Sequence, residues 1–134
     1  MMDAFIRIRC FLIFIFLFFC QVSLAQNILK DIRISSSNDD SRIVIDLHEK
    51  SSRNIFSLEN PNRLVIDLKN TKLKKGFELS SYPRKNIRNI RFSERDGNQL
   101  RLVIDLSNAF EYSYFNLPRG AVYDHRLVVD IKSN

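Results

Sequence analysis

Four segments of the chain share the pattern Arg-x-Val-x-Asp: Arg42 to Asp46, Arg63 to Asp67, Arg101 to Asp105 and Arg126 to Asp130. A guanidinium offers a planar fork of donors that fits a carboxylate, and a carboxylate accepts from hydroxyls and amides. Side chains alternate across a strand, so the Arg, Val and Asp of each segment share one face. Two such strands paired antiparallel set the Arg of one opposite the Asp of the other. One reading is a solvated ladder of ion pairs that fixes register and blunts sheet edges, each pair contributing about 0.2–1 kcal/mol. The other is a rigid recognition face whose arginines meet ligand carboxylates and whose aspartates meet sugar hydroxyls. The two are compatible. Tyr112 and Tyr114 are expected to point outward as well, either as stacking platforms for sugar rings or as ordinary sheet surface.

Other chemistries find no support. His48 and His125 stand apart from any metal-ligand spacing, so no metal and no cofactor are expected. The chain has three glycines and no Gly-rich phosphate loop. No catalytic constellation emerges.

Elements that could hold the four segments are strands. Each is rich in β-branched residues, which lose rotamer freedom in helices, and each is bounded by polar turn residues. The second, fourth and sixth positions, as in Leu64, Ile66 and Leu68, should form the core together with Phe56, Leu58, Phe115 and Leu117. The surroundings repeat too. Phe56 and Leu58 follow Arg42 at the spacing with which Phe115 and Leu117 follow Arg101, and Ile32-Arg33-Ile34-Ser35 corresponds to Ile90-Arg91-Phe92-Ser93. The mature chain is therefore one unit written twice, over about 29–68 and 87–131, with a connector at 69–86. Asn38-Asp39-Asp40 and Asp96-Gly97-Asn98 are hairpin turns, and Pro61 suits a β-turn. The expected fold is all-β: a sandwich of two four-stranded antiparallel sheets with an internal two-fold repeat.

At 134 residues, 45% hydrophobic and 27% charged, the chain has room for one globular domain and no large enzyme. The first 25 residues read as a signal peptide, a helix to be removed from the mature domain, 26–134. Arg7 and Arg9 precede an uncharged run from Cys10 to Cys20, and Ser23-Leu24-Ala25 places small residues for cleavage between Ala25 and Gln26. The run is too short for a spanning helix, which needs roughly 18 apolar residues. Phe19 before Cys20 disfavours a lipoprotein, and Ile8 splits the two arginines of any twin-Arg motif. Both cysteines leave with the leader, so the mature protein has no thiol chemistry. The formal net charge of +6 permits nucleic-acid binding electrostatically. Interleaved acids and export argue against that ligand.

Phe56-Ser57-Leu58-Glu59-Asn60-Pro61-Asn62 followed by Arg63-Leu64-Val65-Ile66-Asp67-Leu68, with the copies at Arg101–Leu106 and Arg126–Ile131, resembles the AMIN domain over about 29–132. That domain precedes the catalytic part of periplasmic N-acetylmuramoyl-L-alanine amidases and also occurs in type IV pilus secretins. The resemblance implies two sheets related by internal symmetry, peptidoglycan binding in the periplasm, and delivery of a partner domain to the cell wall or division septum. It places the family's outer-face motifs on Arg42/Asp46, Arg63/Asp67, Arg101/Asp105 and Arg126/Asp130. Expected partners are peptidoglycan and an amidase catalytic domain, a divisome protein or a secretin, for a mature form that does not span the membrane. Amidases continue into a zinc-dependent domain, whereas this chain stops at Asn134, three residues past its last motif. A free-standing, non-enzymatic module is the leading expectation. The alternatives are the N-terminal part of a truncated or split amidase and an interaction domain of a secretin assembly.

Overall fold

The computed structural model describes residues 2–18 and 25–134. One helix, α1 (Met2–Phe18), is followed by nine strands: β1 (Asn27–Ser37), β2 (Asp40–Leu47), β3 (Arg53–Leu58), β4 (Arg63–Leu68), β5 (Thr71–Leu73), β6 (Ile87–Arg95), β7 (Gln99–Leu106), β8 (Phe110–Leu117) and β9 (His125–Ser133). Phe5, Phe11 and Phe16 of α1 are exposed. No helix among the described residues is long and apolar enough to cross a membrane. Cys20, Ser23 and Leu24 of the expected leader lie outside the described residues.

The strands form two sheets, ordered β5-β1-β2-β9-β8 and β3-β4-β7-β6. The all-β sandwich expected from the strand pattern is the architecture found, with one strand more than the repeat supplies. That strand is β5, which pairs parallel with β1 and comes from the connector. The four Arg-x-Val-x-Asp segments are the central strands β2, β9, β4 and β7, and the central ladders β2–β9 and β4–β7 each join one strand from each unit. Neither unit forms a sheet alone. Each gives two strands to the first sheet and two to the second.

Alternation does what the sequence pattern requires. Ile43, Ile45 and Leu47, Leu64, Ile66 and Leu68, Leu102, Ile104 and Leu106, and Leu127, Val129 and Ile131 fill the space between the sheets. Burying one such side chain contributes about 1.5–3 kcal/mol. The connector closes one side of the sandwich, with Phe77, Leu79 and Tyr82 packed against the core and Phe77 edge-on to Phe92 at 5.5 Å. The other side is closed where β3 meets β8: Tyr112 Oη donates to the Ile55 carbonyl at 3.3 Å, and the Arg53 guanidinium lies 4.9 Å from the Tyr114 ring. The tight turns carry Asn38 at φ 56°, Gly97 at 79° and Asn98 at 58°, left-handed conformations that glycine and asparagine accept most readily.

Candidate functional site

Residues directly opposite in an antiparallel pair share a face. The ladders therefore fix the rows on each outer surface. On the second sheet they run Asn54, Asp67, Arg101, Ser93; then Phe56, Val65, Val103, Arg91; then Leu58, Arg63, Asp105, Asn89. On the first sheet they run Ser113, Asp130, Arg42, Ser35; then Phe115, Val128, Val44, Arg33; then Leu117, Arg126, Asp46, Asp31. The two sets are the same design, strand for strand. An apolar middle row lies between two charged ones.

This register corrects the sequence reading at six positions. Phe56, Leu58, Phe115 and Leu117 are not core residues. They stand opposite Val65, Arg63, Val128 and Arg126 on the outer faces. There Phe56 and Phe115 flank the central valines, which are only 2% (Val65) and 3% (Val128) exposed. Tyr112 and Tyr114 do not join the outer faces either, because they stand opposite the inward-facing Ile131 and Val129. Tyr112 packs against the core, and Tyr114 lies at the seam between β3 and β8 beside Arg53. Asn116 completes that seam: with its amide turned oxygen-first toward Arg53, that oxygen accepts from Nη1 at 2.9 Å.

The first charged row forms the ion pairs expected from cross-strand facing. Arg101 grips Asp67 through two bonds of 2.7 and 2.8 Å, and Arg42 grips Asp130 through two of 2.7 and 2.9 Å. Each guanidinium also covers the other unit's phenylalanine on the same sheet, Arg101 over Phe56 and Arg42 over Phe115, both at 5.8 Å. The hydrogen bonds from Arg101 and Arg42 hold the Asp67 and Asp130 carboxyls below the ordinary carboxylate range. The arginines are raised in turn, chiefly by the same bonds. The pairs differ in depth: the Asp67 side chain is 6% exposed and the Asp130 side chain 27%. Asp67 is thus a buried carboxylate rather than the ligand-facing group that its place in the repeat suggests.

The third row departs from the expected pairing. Asp105 faces Arg63 in register but binds Arg91, through two bonds of 2.9 Å. Asp46 faces Arg126 but accepts from Arg33 at 3.0 Å. Arg33 and Arg91 are pairing residues that a search of the four motifs alone passes over, although their place in the upstream repeat marks them. Arg63 is left to donate to the Pro61 carbonyl at 2.8 Å. Arg126 packs its guanidinium 4.7 Å from the Tyr123 ring, which also lies 5.4 Å from Arg33. Arg63 and Arg126 have no ion pair among the described residues.

The loop carrying Tyr123 is tied down by charge. Asp124 pairs with Lys30, Arg119 lies 3.4 Å from Asp124 and 3.5 Å from Glu49, and His125 Nε2 lies 3.7 Å from Glu49. His48 Nε2 is 3.9 Å from the same carboxylate. Among the described residues, no three His, Cys, Asp or Glu side chains gather as a metal site.

What the geometry offers is two outer sheet surfaces laced with guanidinium and carboxylate groups, each with one motif arginine that has no acidic partner among the described residues. Comparison with known proteins places this arrangement. The chain is similar to N-acetylmuramoyl-L-alanine amidase AmiC of Neisseria meningitidis serogroup B, at 32% identity over 103 residues that cover 74% of this chain. It spans only 25% of that amidase's length. The AMIN domain model matches residues 22–131, which takes in all nine strands but the end of β9, and the chain belongs to the AMIN domain family.

Proposed function

We propose that the protein is a non-catalytic peptidoglycan-binding module, exported to the periplasm with cleavage between Ala25 and Gln26, that targets the cell wall or the division septum. The observation that carries this reading is the pair of matching outer faces in a domain whose relative is named as an N-acetylmuramoyl-L-alanine amidase. Arg63 and Arg126 are the motif arginines to meet ligand carboxylates, since Arg42 and Arg101 are already committed to Asp130 and Asp67. The aspartates of the exposed rows are the groups to meet glycan. Charge contacts at exposed sites weaken with salt. The full chain is therefore expected to sediment with purified sacculi at low salt and to be released as salt rises. Arg63→Ala combined with Arg126→Ala should cut the sedimented fraction several-fold with the fold intact by circular dichroism. No sedimentation at low salt would reject the wall-binding reading, and an unchanged fraction in the double variant would move the contact elsewhere.

A second reading, favoured by the partial span of the amidase relative, is that the domain serves as the targeting part of an amidase. Release of muropeptides from sacculi by this chain alone would overturn the non-catalytic assignment.

A further inference from the structure

The two units open on the same irregularity. β1 bulges between Leu29 and Asp31, and β6 bulges between Ile87 and Asn89. The bulged residues are Lys30 and Arg88, two cations at equivalent places. A bulge re-aims its side chain away from the ladder. In the first sheet the re-aimed Lys30 meets Asp124 of the β8–β9 loop. In the second sheet the equivalent connection is the short β3–β4 turn at 59–62, whose one acid, Glu59, forms no ion pair among the described residues. The neighbouring Asp31 of the first unit is replaced by Asn89 in the second.

Arg88 is consequently exposed, with no acidic partner among the described residues. Arg84, also exposed, has among the described residues only the Tyr82 ring, at 5.6 Å. Together with Pro61, Asn62, Asn89 and Asp105 they line an open cleft of about 590 Å³. Asp105 is the one carboxylate among the lining residues, and both its oxygens are held by Arg91. The cleft therefore presents two uncompensated guanidinium groups beside two amide side chains, those of Asn62 and Asn89.

We infer that this cleft is an anion subsite that takes the free carboxylates of the peptidoglycan stem peptide, with Arg84 and Arg88 as the gripping residues. The inference rests on the wall-binding reading above. A carboxylate accepts two parallel bonds from one guanidinium, and the asparagines supply donors and acceptors for the adjoining peptide groups. The first sheet has no such subsite, because its own Asp124 already occupies the equivalent cation.

Two measurements on the full chain separate the possible failures. Sedimentation with sacculi reads the wall-binding function itself. Calorimetric titration with a soluble disaccharide–tetrapeptide, as the free acid and with its stem carboxyls amidated, reads the subsite. The free acid should bind about tenfold more tightly than the amidated form. Arg84→Ala with Arg88→Ala should erase that preference while sedimentation, carried by the sheet faces, persists at a reduced level. Equal binding of the two forms by the parent chain, or an undiminished preference in the variant, overturns the subsite and leaves wall binding standing. Loss of sedimentation by the parent chain overturns both. Should the double variant be unstable, Arg88→Gln reads the same preference through a single exposed change.

Discussion

Arg101 and Arg42 make the same two-bond grip on the same aspartate of the repeat, yet one carboxylate is nearly dry and the other is more than a quarter open to solvent. Asn54 flanks Asp67 in register, where the smaller Ser113 flanks Asp130. The other end of each face reverses the order. There the first sheet is covered by Tyr123 and its charged loop, while the second lies open around Arg84 and Arg88. The comparison teaches that a repeated pattern sets which groups sit beside one another. The connections between strands then decide which of those groups water or a ligand can reach.

The contrast between the two ion pairs can be broken by mutation. Arg101→Ala leaves Asp67 buried without its cation, and a solvent-screened share of the penalty for orphaning a buried charge gives a loss of about 2 kcal/mol. Arg42→Ala leaves a more exposed Asp130 that water can solvate, so its loss should be clearly smaller. Urea unfolding of the two variants checks this, and equal losses would erase the distinction between the faces.

Acid sharpens the same comparison. Asp67 and Asp130 are held below their ordinary value by the arginine bonds. Their stabilisation is complete above the unfolded carboxylate value of about 3.9 and is lost as pH falls through the lower folded values. The parent chain should therefore lose stability below about pH 4. Arg101→Ala should show a flatter acid decline, because protonation then relieves a lone buried charge. Thermal melts between neutral and acid pH measure it, and parallel declines in the two proteins would contradict the assignment.

The smallest effect is expected at the covered end. Tyr123→Ala removes a ring lying near both Arg33 and Arg126. Exposed cation–π contacts are worth about 0.5–1 kcal/mol each, and partial solvation of this ring places the total near 1 kcal/mol. A loss matching that of Arg101→Ala in the same melts would mean that the loop, rather than the dry ion pair, dominates the difference between the faces.

Much of this architecture is legible in the residues. Leu64, Ile66 and Leu68 alternate with Arg63, Val65 and Asp67, and that alternation alone separates core from surface in the central strands. The duplication predicts two matching faces, which the ladders bear out. The edge strands are harder. Phe56 and Phe115 look like core by composition, but their side is set by the register of β3 on β4 and of β8 on β9. A one-residue difference in register exchanges the faces. Counting outward from the four-residue turn at 59–62, so that Leu58 meets Arg63, would have placed Phe56 beside Val65. Arginine competition is harder still to read. Arg91 and Arg33 take the aspartates that face Arg63 and Arg126, a choice made by side-chain reach rather than by strand pairing. The cations of the connector and the Lys30/Arg88 bulge depend on loop lengths that strand periodicity does not encode.

Because each unit donates strands to both layers, removing either copy would halve both layers at once and leave the remaining hydrophobic surfaces with nothing to face. A half-length ancestor carrying a single copy would meet that need by pairing with a twin, building the same double-layered body as a two-fold symmetric dimer. Fusing the twins into one chain frees their sequences to diverge, so that one end can carry its own tyrosine beside the arginines while the other does without one.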